Sequence, residues 1–423
     1  MMTQSNFTSI ENQVTPKGYK KTELGIIPED WTLKSFEKIT SKIGDGIHST
    51  PIYSSTGEYY FINGNNLVAG KVHIDGETKK IASKEFRKYK QSLGGKTILL
   101  SINGTIGNRA FYNAEPVLLG KSAAFLNINS EFNLQYVYYV LGSKRTLDQF
   151  NDGLTGSTIK NLGLGTIRNT LIPVPILPEQ EKIATALSDT DALISELEKL
   201  IKKKQAIKTA TMQQLLTGKT RLPEFALRED GTPKAYKESE LGQIPEDWGV
   251  DKIGNTLSIT TGSRNTQDKV NDGTYPFFVR SQNIERINTY SFDGEGVLTA
   301  GDGVGTGKIF HYINGKCDIH QRVYLMSNFK QTLDGYYFYI FFSNYFYDRI
   351  MSMTAKSSVD SVRREMIADM LIFLPSIKEQ KKIASVIKNL FEEIEVLNIK
   401  LNKLLKIKQG MMQELLTGKT RLV

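Results

Sequence analysis

The sequence predicts an α+β fold. Two mostly-β globular domains are joined by two long antiparallel helices that form a coiled coil, in a tandem repeat with pseudo-two-fold symmetry. Three observations predict it. A helical segment occurs twice, a leading motif occurs twice, and the stretches between them share a strand-and-turn pattern while differing in letters.

The helical segment runs from Pro178 to Leu222 and again from near Pro375 onward. Pro-Glu-Gln-Glu-Lys-Ile-Ala (178–184) returns as Lys-Glu-Gln-Lys-Lys-Ile-Ala (378–384), and Gln213 to Leu222 returns almost letter for letter as Gln413 to Leu422. In the second copy Ile383, Ile387, Leu390, Ile394, Leu397, Leu401, Leu404, Lys408, Met411 and Leu415 alternate steps of four and three. That is the seam spacing of a helix that buries one narrow stripe on a partner helix. The first copy keeps the spacing with Ile183, Leu187, Ile194, Leu197, Ile201 and Leu215, interrupted by polar Thr190, Lys204, Lys208 and Thr211. A proline precedes each copy (Pro178, Pro375) and Thr-Gly-Lys follows, as start and stop signals require. Roughly forty helical residues rise about 60 Å. One such helix would leave an apolar stripe in water, and two in one chain can bury it on each other.

The leading motif, Pro16 to Trp31, recurs as Pro233 to Trp248, and Glu-Leu-Gly-x-Ile-Pro-Glu-Asp-Trp is common to both. Trp31 and Trp248 are the only tryptophans and occupy equivalent places. The leading motifs are offset by 217 positions (233 − 16) and the helices by 200 (383 − 183), so the first body is longer by 17 residues. The chain divides into a flexible N-terminus (1–15), a first globular domain (16–176), a central helix (177–217), a linker (218–235), a second globular domain (236–374) and a C-terminal helix (375–423). Tyr59–Ile62, Lys96–Ser101, Phe277–Val279 and Arg322–Leu325 read as strands between Gly, Asn and Asp turns. Tyr136–Leu141 and Tyr336–Phe342 read as helices whose aromatic rings pack on the sheet.

Composition narrows the class. The formal charge of +9 and pI near 9.2 are compatible with a polyanion partner without establishing one. The single cysteine, Cys317, excludes an internal disulfide and a cysteine-based zinc cluster, and it suits a reducing compartment. The N-terminus lacks an apolar signal core, and the most apolar run, Tyr336–Phe342, is far short of the ~20 residues that span a bilayer. The expectation is a cytoplasmic protein without a membrane partner.

Catalytic templates fail on the letters. Gly-Lys-Thr at 218–220 and 418–420 lacks the earlier glycine of a phosphate loop and reads as a helix-ending glycine with a basic tail. Gly301 to Gly307 misses the dinucleotide spacing and reads as a tight loop. No Asn-Pro-Pro-aromatic or Asp-Pro-Pro-aromatic signature is present, and the four histidines (His48, His73, His311, His320) lack metal-ligand spacing, so no metal site is expected. Asp75, Glu77 and Lys79 could mimic part of a nuclease centre, but they read as a charged turn.

What remains is a two-headed binding protein. Asn63-Gly-Asn-Asn66 aligns with Arg280-Ser-Gln-Asn283 in the register of the leading motifs, and Gly156–Lys160 aligns with Lys356–Asp360 in that of the helices. Asn, Gln and Arg can pair with base edges in a major groove. This selects Asn63, Asn65, Asn66, Arg280, Gln282 and Asn283, together with Arg264, Asn265, Gln321 and Arg322. Lys121, Ser122, Lys160 and Lys308, with His48 and His320, complete the DNA-binding candidates, the lysines being suited to phosphates. Lys202 to Lys204 can also contact phosphates or form a solvated helix face. Turn formation explains any one Asn or Gly equally well. A two-headed protein scaffold on a coiled-coil rod, without a nucleic-acid role, and an enzyme acting on DNA are the competing readings.

The tandem order, the Glu-Leu-Gly-x-Ile-Pro-Glu-Asp-Trp motif, the Glu-Gln-x-Lys-Ile-Ala helix starts and the Leu-Leu-Thr-Gly-Lys-Thr-Arg-Leu helix ends resemble the specificity subunit of type I restriction–modification enzymes, from Pro16 onward. Asp45–Pro51, Gly104–Gly107, Gly301–Gly305 and His320–Tyr324 resemble recurrent motifs of its recognition domains. The resemblance implies two target-recognition domains, each reading one half of a bipartite double-stranded DNA target, and a helix pair that sets the spacer. It implies no catalysis by this chain. Two methyltransferase (modification) subunits would bind S-adenosylmethionine, and restriction (motor-nuclease) subunits would use ATP and Mg. Deleting four residues within 190–205 is then expected to shift or abolish spacer recognition while each body stays folded.

Overall fold

The structure, a computed structural model, describes residues 15–156, 160–353 and 361–423. The predicted N-terminal tail and the paired loops Gly156–Lys160 and Lys356–Asp360 fall wholly or mostly outside them. Two compact units emerge, and they do not follow chain order. The first takes the chain as far as Glu198 and adds Ile399–Val423, and the second is Lys199–Asn398.

In the first unit the leading motif forms an antiparallel hairpin, Tyr19–Thr22 with Gly25–Pro28. Thr32–Ser35 then pairs with Leu171–Val174, tying the start of the body to its end. A four-stranded sheet has the order Arg109–Phe111, Thr97–Ser101, Ala123–Ile128, Thr40–Asp45. A three-stranded sheet has the order Val117–Leu119, Tyr59–Ile62, Lys80–Ile81. Thr97–Ser101 is buried throughout, apolar Ile98, Leu99 and Leu100 lying between its polar ends. Helices Leu134–Leu141 and Lys144–Asp152 start at Asn133 and Ser143, whose side chains accept from the third residue on. As the aromatic pattern predicts, Tyr136, Val137, Tyr139, Val140 and Leu141 are buried.

The second unit repeats the plan with a larger sheet. Its hairpin is Tyr236–Ser239 with Gly242–Pro245, and Gly249–Lys252 pairs with Leu371–Leu374. Six strands follow the order Ser258–Thr261, Val323–Ser327, Phe292–Ala300, Phe310–Ile319, Tyr275–Phe278, Glu285–Ile287. Helix Gly335–Ser352, capped by Asp334, buries Tyr337, Phe338, Phe341, Phe342 and Phe346.

The long helices are Leu177–Leu215 and Ile377–Leu415. Within the first unit Asp191 pairs with Lys408 at 2.5 Å, and Thr190 donates to Met411 at 3.5 Å. Within the second, Lys204 pairs with Glu393 at 2.7 Å, and the Lys208 ammonium lies 4.5 Å from the Phe391 ring. Partners fall in number on one helix as they rise on the other, so the pairing in each unit is antiparallel. Thr190, Lys204 and Lys208, three of the polar letters that interrupt the first seam, thus make contacts across it. Ile183, Leu187, Ile194, Leu197 and Ile201 are buried, as are Ile383, Ile387 and Ile394. Leu390, Leu397, Leu401 and Leu404 are half-buried.

The repeated letters outside the seam fasten each body to its helices. Trp31 donates its indole N–H to Glu179 at 3.0 Å, and Trp248 to Glu379 at 3.1 Å. Arg421 bridges Glu179 and Asp30, and Arg221 bridges Glu379 and Asp247. Tyr19 donates to the Gly418 carbonyl and Tyr236 to that of Gly218, both at 3.0 Å. Gly218 and Gly418 end the helices with φ of 69° and 74°, the left-handed cap that the Thr-Gly-Lys signal predicts. Helix and sheet therefore share one core in each unit. Trp31, Leu187 and Leu415 belong to the first, and Trp248, Ile387 and Leu215 to the second.

Candidate nucleic-acid interface

In the second unit, the loops that follow Ser258–Thr261, Tyr275–Phe278, Phe292–Ala300 and Phe310–Ile319 gather most of the predicted polar residues. Arg264 forms a parallel backbone bridge to His320. Gly262 permits this approach, because a Cβ there would lie 1.9 Å from the Ile319 carbonyl oxygen. The Arg264 guanidinium donates to Asp318 and to Thr289, each at 3.0 Å. Asp318 is fully buried and also accepts from Thr289 at 2.6 Å and Ser291 at 2.7 Å. Burial pulls its pKa up, but these hydroxyl and guanidinium donors outweigh burial and hold it below the usual carboxylate range.

Asp302 accepts from Arg280 Nη1 at 2.7 Å and, through its other oxygen, from Arg322 Nη1. Again burial raises the carboxyl and the two arginines more than reverse it. His320 is buried, and its Nδ1 accepts the Arg322 backbone N–H at 3.0 Å, which leaves the ring proton on Nε2. Burial, then the charges of Arg280 and Arg322, push its pKa down. Asn265 caps a short turn and accepts from Gln321 at 2.6 Å. Gln282 and Asn283 are exposed on the next loop, and exposed Lys308 lies 5.4 Å from the Tyr347 ring.

The first unit builds the same backbone scaffold with other side chains. Ile47 bridges Gly120 in parallel as Arg264 bridges His320, and Asn103 bridges Asn161 as Asp302 bridges Ser361. Ile102 N–H donates to the Ser122 carbonyl as Gly301 N–H does to that of Arg322, both at 2.9 Å. Asn103 and Ser122 thus stand where the second unit has Asp302 and Arg322. The match of Asn63 with Arg280 slips by one residue. Ile62 pairs with Leu119 and Phe278 with Ile319, so Asn63 corresponds to Val279 and Arg280 follows one step later in the same loop.

Ser122 donates to Asn63 at 3.0 Å and accepts the Gly64 N–H at 2.9 Å. The Asn66 side chain accepts from the Asn63 N–H at 2.9 Å and donates to the His73 carbonyl at 3.0 Å, so both Asn63 and Asn66 serve the turn. Asn65 between them is exposed. His48 pairs with Asp45 at 2.7 Å beside a cavity of ≈ 280 Å³ that Asn103, Lys121 and Asn161 also line. Lys121 and Lys160 are exposed. Asp75, considered for a nuclease centre, accepts from Thr78 in a turn.

Sequence reasoning missed the carboxylates that hold the arginines. Asp302 was within reach, being the one acid inside the glycine loop 301–307. Asp318, between Cys317 and Ile319 at the end of a strand, gave no signal. Among the described residues no group of three or more His, Cys, Asp or Glu could hold a metal ion. No described helix is long and apolar enough to cross a membrane. Cys317 is buried, and burial pushes its thiol up to about 12.

Comparison with known proteins gives a consistent result. The profile of the family described as "Type I restriction modification DNA specificity domain" matches residues 28–209 and 245–406, more than half of the chain. A Methanocaldococcus jannaschii protein that carries, provisionally, the name type I restriction enzyme MjaX specificity subunit is 27% identical over 433 residues, covering 96% of this chain and 97% of its own. The type I restriction enzyme MjaVIII specificity subunit of the same organism is 25% identical, covering 93% and 94%. The crystal structure of a type I restriction-modification system S subunit from M. genitalium aligns with TM-score 0.63 at 16% identity, covering 95% of this chain and 99% of that one, and so shares the fold. Two repeats of one plan, each with its own polar loop rim, thus coincide with the two stretches matched by one profile: the chain belongs to the type I restriction modification DNA specificity family, as a specificity subunit.

Proposed function

We propose that the two loop rims are the target-reading surfaces of this specificity subunit, each laid in the major groove over one half of a bipartite double-stranded DNA target. The observation that carries the reading is the scaffold built twice with different letters. Backbone bonds around Asn103 and Asp302 are the same, while the side chains they present differ. A fold needs the former, and only a recognition surface profits from the latter. Arg, Asn and Gln on the rims would pair with base edges, while Lys121, Lys160 and Lys308 would meet phosphates.

The paired helices would fix the spacing of the half-sites and, with the leading motifs, dock two methyltransferase subunits that carry S-adenosylmethionine. Restriction subunits that use ATP and Mg would join this complex, in the cytoplasm. This chain would bind none of these cofactors and catalyse nothing.

The test is single-molecule sequencing of adenine methylation in cells that express this chain with its modification subunit. A split motif with a fixed spacer is expected. Absence of chain-dependent methylation, with the partner shown to be active, would overturn the reading.

A further inference from the structure

We propose that Arg280 and Arg322, oriented together by Asp302, are guanine-reading residues of the second unit. This rests on the reading of its loop rim as a DNA surface. Each guanidinium spends an Nη1 donor on one Asp302 oxygen and has further donors in its rigid fork. The Arg280 and Arg322 side chains are 41% and 62% exposed, whereas that of Asp302 is 15% exposed. The carboxylate is thus tucked behind two arginine edges that face solvent. A guanine presents N7 and O6 as adjacent acceptors, which a fixed guanidinium edge matches in pairs.

The carboxylate decides between bases and phosphates. A phosphate contact profits from an uncompensated cation, and a neighbouring carboxylate weakens it by repulsion. A base contact needs geometry more than charge, and Asp302 supplies geometry by restricting two long, otherwise mobile side chains. The pair is also not required by the fold. In the first unit the same backbone bonds form with Asn103 and Ser122 at the positions of Asp302 and Arg322. The acid and the arginines are therefore what this rim adds to a scaffold that stands without them.

The experiment uses the full chain in complex with its modification subunit. Methylation motifs and DNA affinity against salt are measured for wild type, Arg280→Gln, Arg322→Gln and the charge-keeping Arg322→Lys. Each substitution is expected to relax one or two guanine positions in one half-site, with discrimination falling about ten- to a hundred-fold. The other half-site is expected to stay intact, and the salt slope to stay unchanged. Retained guanine preference, with affinity falling uniformly and the slope reduced by about one, would make these phosphate contacts and overturn the proposal. So would a wild-type motif in which the half-site read by the second unit contains no guanine on either strand. Arg322→Lys keeps the charge, so its loss of discrimination separates base reading from electrostatics. A wild-type complex that yields no split motif would instead overturn the reading of the rim as a DNA surface.

Discussion

Arg421 donates to both carboxylate oxygens of Glu179, 242 positions earlier, at 2.7 and 2.8 Å. Glu179 is 1% exposed and accepts in addition from the Trp31 indole, while Arg421 spans on to Asp30 at 2.7 Å. The Arg421 hydrogen bond is the main cause that holds the Asp30 carboxyl below its usual range. The clasp closes the first unit, and Arg221, Glu379, Trp248 and Asp247 repeat it in the second.

Removing one partner of a buried pair strands the other charge, at a cost of about 3–5 kcal/mol. Arg421→Ala should therefore destabilise the first unit selectively, and Arg221→Ala the second. Fluorinated tryptophan makes this readable, because Trp31 reports on one unit and Trp248 on the other. Arg421→Lys should restore only part of the stability, since one ammonium cannot serve both carboxylates with the geometry of a fork. Equal shifts of both signals in Arg421→Ala would count against separate clasps.

The clasp shows what the sequence could and could not say. Helix existence, seam phase and the capping glycines were legible, because they are set by local periodicity and by φ at single residues. Trp31 and Trp248 were legible as equivalents because the motif around them repeats. The role of Arg421 was not, since its partners lie far off in the chain and a basic letter after a helix reads as an exposed tail. Nor was the composition of the compact units, in which part of each long helix completes the core beside the other repeat's helix. At the rims, Arg280 and Arg322 were legible as residue types suited to bases. Asp302 was legible only as the one acid of a glycine loop and Asp318 not at all, because an acid among basic and polar loop letters has a purpose only once the arginines it pairs with are seen.

Glycine at the end of the second helix should be irreplaceable. Gly418 has φ of 74°, and a Cβ there would lie 2.5 Å from Pro28 Cδ. Left-handed strain and overpacking together put the cost of Gly418→Ala at about 2–4 kcal/mol. Gly410, inside the same helix with nothing within 4 Å of a built Cβ, should behave oppositely. Gly410→Ala is expected to stabilise by about 0.5–1 kcal/mol. Thermal melts of the two variants give the comparison, and a loss of stability in Gly410→Ala would contradict it.

Acid should loosen the second unit first. Burial pushes the pKa of His311 and of His320 below the ordinary 6.5. A depressed folded value means that the unfolded chain binds protons first as pH falls. The stabilisation is complete above about 6.5 and is lost progressively below it. Asp247, Asp302 and Asp318, also depressed, extend the loss below the ordinary carboxylate value of 3.8. The described histidines of the first unit, His48 and His73, are exposed. In an acid titration the Trp248 signal should therefore move at higher pH than that of Trp31. The reverse order would refute the assignment.

Helix length should set the unread spacer of the target. The seam residues recur on average every 3.5 positions, so removing four residues within 190–205 throws the seam out of phase with its partner. It also shortens the helix by about 6 Å. Loss or shift of spacer recognition is expected, with each body still folded by the tryptophan signals. Removing seven residues from that helix and the seven that face them on Ile377–Leu415 keeps the phase and shortens both by about 10 Å. Against a rise of about 3.4 Å per base pair, that is close to three base pairs. The methylation motif of this paired variant should keep both half-sites and lose about three base pairs between them. An unchanged spacer would mean that the helices hold the subunit together without measuring the DNA.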